Sequence, residues 1–250
     1  MIPIIATGMP SDHLARVLEV AVEIGSKLIR MSVTPVLCGN RASTANWDEI
    51  LAASRASLEK WAPIAADAGV DLAIENHQDL TSGELLEIAE AAGPNVAICF
   101  DTGNPLAVGE DILPFANRIA HRLRHVHLKD YRAQFTDEGY RLVRCPIGDG
   151  CVPFKEIAKI LSHKITASIE PGALEARHIR LLTDAWWDGY PPLAARELAG
   201  ALRTAKRNRL PYDADHRTPW ELNATGDEIV AHEKQVFDRS VHNIRQMGWL

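Results

Sequence analysis

The chain has 250 residues, 46% of them hydrophobic and 24% charged, with a formal net charge of −6. This is enough apolar material for one large core, and the acidic balance, with no run of five or six like charges, offers nothing to nucleic acid. No stretch approaches the ~20 apolar residues of a membrane span, and the opening MIPIIATGMPSDH has no basic segment ahead of its apolar one, so a cytoplasmic protein without membrane contact is expected. Cys38, Cys99, Cys145 and Cys151 show no CxxC spacing and read as reduced residues of the core and loops.

From its start to about residue 172 the chain alternates β-branched runs with amphipathic segments, the pattern of a parallel sheet wrapped by helices. A strand is expected at Ile2–Thr7, then a helix with Leu14, Val17, Leu18 and Ala21 on one face, capped by Ser11 or Asp12 and ending at Gly25. The strand Lys27–Val33 follows, then a long helix carrying Trp47, Ile50, Leu51, Ser54, Leu58, Trp61 and Ala65 as far as Gly69. After the strand Asp71–Glu75, Thr81 and Glu84 have capping-box spacing ahead of Leu85, Leu86 and Ile88. Strands Val96–Asp101, Arg124–Leu128 and Thr166–Glu170 complete six, where a closed barrel of this kind has eight. Beyond Gly172 the pattern turns helical around Trp186, Trp187, Tyr190, Pro191 and Pro192, and a last amphipathic helix is expected from about Asp227 to Gln246. The expected organisation is therefore a (β/α) unit over 1–172 and a helical extension over 173–250, packed on the barrel or on another subunit.

Four strands end in a ligand-type side chain: LAIENH at Glu75, ICFDTGN at Asp101, HVHLKD at His127 and ASIEPG at Glu170. A barrel strand is covered on both faces, so a carboxylate or imidazole at its last residue belongs at the C-terminal mouth, where barrel enzymes keep their active sites. Each carboxylate alone reads more often as a helix cap or a surface ion pair, but four ligand-type residues on successive strands converge on one point. Three carboxylates and one imidazole suit Mn2+, Mg2+ or Co2+, and the absence of a thiolate argues against structural zinc. His125 shares a strand face with His127 and reads as a core histidine instead. His77, two residues after Glu75, faces the same mouth and is a candidate general base, or else caps the next helix. Lys129 is expected to turn away from the metal and return through the loop to a substrate hydroxyl or phosphate, or to stay solvated, and Arg132 has the same two readings. Gly148 and Gly150 in PIGDG fit a tight turn near the site, and no glycine-rich loop has nucleotide-binding form.

The ordered set IENH, CFDTGN, HVHLKD, PIGDG and SIEPG resembles the xylose-isomerase-like barrel superfamily of sugar and sugar phosphate isomerases, epimerases and inosose dehydratases. The resemblance implies an α/β fold of the (β/α) TIM-barrel kind over residues 1–172, with one divalent metal ion, Mn2+ first among candidates, on Glu75, Asp101, His127 and Glu170. It places those ligands on the fifth to eighth barrel strands, so that the first two βα units are missing and the edges left behind would pair with another chain, as a homo-oligomer or hetero-oligomer. It also implies an isomerase or epimerase of a keto sugar or sugar phosphate, in which Glu75 and Glu170 carry the proton of an enediolate. Where many epimerases have a histidine three residues after the aspartate, this chain has Asn104, grouped with Lys129 and Arg132 as substrate contacts. Glu-Asn-His is similar also to inosose dehydratases and to the catalytic subunits of C-glycoside-cleaving enzymes, which implies a lyase with His77 as base. WWDGYPP resembles the latter group, and its aromatics read first as packing the extension onto the barrel or a neighbouring subunit, with stacking on a sugar or aglycone as the alternative. Either way the expected partner is a small sugar or polyol.

Overall fold

The computed structural model describes residues 3–8, 13–161, 165–172 and 174–249. In chain order its elements are β1 Ile5–Gly8, α1 Leu14–Glu23, β2 Leu28–Ser32, α2 Trp47–Asp67, β3 Asp71–Glu75, α3 Ser82–Ala92, β4 Val96–Asp101, α4 Ile112–Ile119 and β5 Leu123–Leu128. Then come β6 Tyr131–Thr136, β7 Gly139–Arg144, α5 Phe154–Ile160, β8 Thr166–Ile169, β9 Arg177–Ile179, α6 Ala195–Ala205 and α7 Gly226–Gln246.

The expected strands all form, and they make one parallel sheet in the order β1-β2-β3-β4-β5-β8. Every residue of the central β4 is buried, as it must be where both faces are covered, whereas the edge strands β1 and β8 are only partly buried. α1 turns Leu14, Leu18 and Ala21 into the core, and α2 turns Ser54, Leu58, Ala62 and Ala65. Ser11, Asp12 and Ile2, expected in the first cap and strand, lie outside the described residues. The capping box at α3 is present in both arms, Thr81 accepting from the Glu84 amide and Glu84 accepting from the Thr81 amide.

A second sheet was not expected. β6 and β7 form an antiparallel hairpin around Asp137 and Glu138, and β9 pairs with β7. Buried Tyr131, Ala133, Tyr140 and Leu142 alternate with the more exposed Arg132, Gln134 and Arg141, the period of a half-covered strand. This hairpin interrupts the βα rhythm between β5 and α5, and β9 is too short and too charged to announce itself. The segment after residue 172 thus contains a strand as well as helices.

That segment is bound in at several points. Arg41, whose side chain is fully buried, donates to Asp79 O, Glu84 and Gly189 O, and its guanidinium lies 3.9 Å from the Tyr190 ring centre. Tyr190 stacks on Trp186 at 4.7 Å, and these two rings donate to Gly39 O and Cys38 O. The aromatics of WWDGYPP therefore pack the extension onto the β2–α2 loop. Gly39, at φ +65°, sits where a Cβ would fall 2.3 Å from Ala107 O and 2.5 Å from Trp186. Near its C-terminus α7 is held by Ser240, which accepts from the Ile147 amide, and by Asn243, which donates to Ile147 O. The four cysteines are free, and no helix among the described residues is long and apolar enough to cross a membrane.

Candidate metal centre

Strand register brings the four ligand-type residues to one end of the sheet. Asp101 stands opposite His127 across β4 and β5, and the Glu170 amide donates to Leu128 O at the end of β5. One donor atom from each of Glu75, Asp101, His127 and Glu170 lies within 4.8 Å of the other three. His127 Nδ1 is 3.2 Å from Glu75 Oε1 and 3.0 Å from Glu170 Oε2. Glu75 and Asp101 are buried, and Glu170 is the most open of the set, its side chain one-third exposed. His125 lies outside this group, its two ring nitrogens 2.7 Å and 2.9 Å from the hydroxyls of Thr166 and Ser168.

Three cations stand among the carboxylates. Lys129, 2% exposed, reaches Asp101 at 2.5 Å and Glu170 at 2.8 Å; Arg30 contacts Glu75; and Arg144 Nη2 is 3.6 Å from Glu170. Lys129 does not turn away, because it shares parity with His127 and strand alternation carried through Leu128 puts both on one side. Burial opposes a charge on Lys129, but Asp101 and Glu170 outweigh it and raise its pKa. Burial likewise opposes a charge on His127, yet the Cys99 thiol and the Glu170 carboxylate push it up to about 10. The pocket's field demands positive charge.

The donor set fits a divalent cation. One buried oxygen on each carboxylate, Glu75 Oε2, Asp101 Oδ2 and Glu170 Oε2, is met by a neighbouring ion pair, from Arg30, Lys129 and His127 in turn, and not by a well-aligned hydrogen bond. Three carboxylates crowded this closely repel one another, and a hard-to-borderline cation ligated by oxygen and one imidazole nitrogen relieves that repulsion.

Around the donors the chain has built a frame. Asn76 donates to Asp101 O and accepts from the Asp101 amide, while Asn104 donates to Asn76 O and its own amide donates to Asp101 Oδ1. Asn104 Oδ1 and His77 Nδ1 are buried without a hydrogen-bond partner. Burial, with Lys129 and Arg30 nearby, lowers His77 to about 4, so this imidazole is neutral at ordinary pH. Arg132 is placed elsewhere, donating to the carbonyls of Asn208 and Arg209.

Sequence reasoning passed over Arg30, Arg144, Tyr131 and Asp130. Tyr131 is fully buried, its hydroxyl unpartnered within the field of Lys129, Arg144, Asp101 and Glu170. Asp130 accepts from the amides of Tyr131, Gly148, Gly150 and Val152, and so ties the PIGDG turn to the end of β5. A Cβ at Gly150 would lie 2.2 Å from Asp130 Oδ1, so the turn needs glycine there. HLKDY thus delivers an available ligand, a cation, a loop anchor and a hydroxyl in five residues; alternation could have placed Lys129, but no local signal marks Arg30 or Arg144.

Comparison with known proteins agrees with this architecture. An inosose dehydratase of Clostridium beijerinckii is 31% identical over 113 residues, which are 39% of this chain and 38% of that protein. Another, of Lacticaseibacillus casei, is 30% identical over 109 residues, 37% of this chain and 36% of the relative. The chain therefore spans under two-fifths of the length of these curated relatives. Among solved structures, the probable 3-DHS dehydratase of Bacillus anthracis superposes with a TM-score of 0.54 at 16% identity, covering 68% of this chain and 69% of that one. A D-tagatose 3-epimerase-like protein gives 0.51 at 18% identity, covering 83% and 79%. Both show likeness of fold. A family model described as the xylose isomerase-like TIM barrel matches residues 11–178, two-thirds of the sequence, and with six parallel strands, four of them ending at this donor set, the chain belongs to that family.

Proposed function

We propose that this chain carries the metal centre of an enzyme that removes the proton beside the carbonyl of a keto sugar or keto-polyol. The observation that carries the reading is the convergence of Glu75, Asp101, His127 and Glu170 within 4.8 Å at the C-terminal end of the sheet. Those four residues would hold one divalent cation, Mn2+ in the first instance with Mg2+ or Co2+ as substitutes, which when bound stabilises the negative charge that develops on the substrate oxygen. Asn76 and Asn104 fix Asp101 in place, and Lys129 steadies Asp101 and Glu170.

Loss of water is the outcome we favour, making the protein a dehydratase. His77 supports it: a neutral imidazole two residues beyond Glu75, with Nδ1 unpartnered, would take the proton. The inosose dehydratases among the relatives point the same way. Isomerisation or epimerisation is the second reading, supported by Glu75 at the end of β3 and Glu170 just past β8, from which each could give or take a proton. Incubating the Mn2+-loaded protein with an inosose and with D-fructose and D-tagatose separates the two. Formation of an enone from the inosose, lost in His77→Ala, is expected; interconversion of the ketoses would establish the second reading instead, and neither product from a metal-loaded protein would overturn both.

A further inference from the structure

We infer that the hydroxyl of Tyr131 reads a hydroxyl group of the substrate, which makes Tyr131 a specificity-determining residue. The inference rests on the keto-polyol reading above and adds the residue that selects among such compounds.

Geometry places the phenol at the centre. Tyr131 opens β6 directly after Lys129 and Asp130, and its cross-strand partner is Arg144, whose Nη2 lies 3.6 Å from Glu170. A Cβ at Gly103 would fall 2.6 Å from Tyr131 Cε2 and 3.5 Å from Lys129 Cγ, so both side chains cross the glycine whose amide donates to Asp101 Oδ1. The ring is therefore held against the Asp101 turn, with Arg144 linking it to Glu170. Its burial does not remove it from the site, because the donors are buried as deeply: Tyr131 and Asp101 are 0% exposed and Glu75 1%.

A buried hydroxyl left without a partner is costlier than no hydroxyl at all, so phenylalanine would serve the fold better here. Among the described residues the Tyr131 hydroxyl has no hydrogen-bond partner. It shares that condition with Asn104 Oδ1, which can only accept, with Arg30 Nε, which can only donate, and with His77 Nδ1, all at the same end of the sheet. A carboxylate or a phosphate dianion offers acceptors alone and would leave Asn104 unpaired. Alcohol groups both donate and accept, so a polyhydroxylated, uncharged substrate answers the whole set. Tyr131 belongs to the second sheet, outside the strands that carry the four metal donors. It can therefore set which substrate is taken without changing how the cation is held.

Tyr131→Phe tests this, because it keeps the ring and removes only the oxygen. The Mn2+-loaded wild type and variant are compared on an inosose and on its monodeoxy analogues, or on D-tagatose and its deoxy analogues if the wild type interconverts ketoses. The variant is expected to melt no lower than the wild type and to bind Mn2+ equally well, yet to lose about tenfold or more in kcat/KM on the full substrate. One analogue should be poor for the wild type by a similar factor and lose nothing further in the variant, the signature of a direct contact. Equal activity of the two proteins on the full substrate would overturn the inference. So would a loss of the same size with every analogue, which marks a role through Lys129 or through a fixed water. A variant that fails to fold overturns it as well, since the hydroxyl would then be paired inside the chain. A wild type that converts neither substrate removes the functional reading itself, and this contact with it.

Discussion

At the scale of single residues, the four donors were legible because a charged or imidazole side chain at the end of a covered strand has few structural uses. The cations around them were not, because a long side chain reaches the mouth from a direction set by packing. Asp101→Asn or His127→Ala is expected to abolish stoichiometric metal binding, since each removes one of four protein donors, while His77→Ala keeps the metal. Metal analysis of the purified variants decides, and one equivalent retained by both of the first two would refute the site. Asp79 offers a separate test. Burial pushes it up to about 6 from 3.8, against hydrogen bonds from the Thr34 hydroxyl and the Leu80 amide. The fold therefore favours protonated Asp79, a stabilisation present below about pH 3.8 and lost as pH rises through about 6. Asp79→Asn keeps the shape without the titration, so it should gain on the wild type between pH 4 and 7 by about 1–3 kcal/mol, read from denaturant melts. A pH-independent difference would show that the carboxyl ionises normally in the fold.

Elements were legible where hydrophobic period and punctuation agreed. β3 and β4 have the bounds expected for them, and α3 begins at the predicted capping box. Replacing the cap, Thr81→Ala, should cost about 1 kcal/mol. The β6–β7–β9 sheet escaped notice because the βα rhythm was carried straight across it, although the alternation of Tyr131, Ala133, Tyr140 and Leu142 was available to be read. The β2–α2 loop is a second case: nothing local says that it will receive Trp186 and Tyr190 from nearly 150 residues away. Gly39→Ala should lower stability by about 1–3 kcal/mol, because the new methyl meets backbone and ring atoms at a left-handed φ. An unchanged melting temperature would mean that the aromatic cluster is not packed against this turn.

For the whole molecule, the count of six parallel strands was readable, and it leaves β1 and β8 as the two edges of the main sheet. Unpaired strand edges offer hydrogen bonds to another chain, so the purified protein is expected to self-associate with rising concentration in sedimentation velocity; a single monomeric species at all concentrations would show the edges to be protected. The same asymmetry governs how protons exchange with solvent. Among the described residues β1 has a neighbouring strand on one side only, whereas the amides of Gly148, Gly150 and Val152, in a turn without regular structure, are each bonded to the buried Asp130. In deuterium oxide the turn should therefore retain its protons longer than the first strand of the sheet does, so that a loop opens more slowly than a strand.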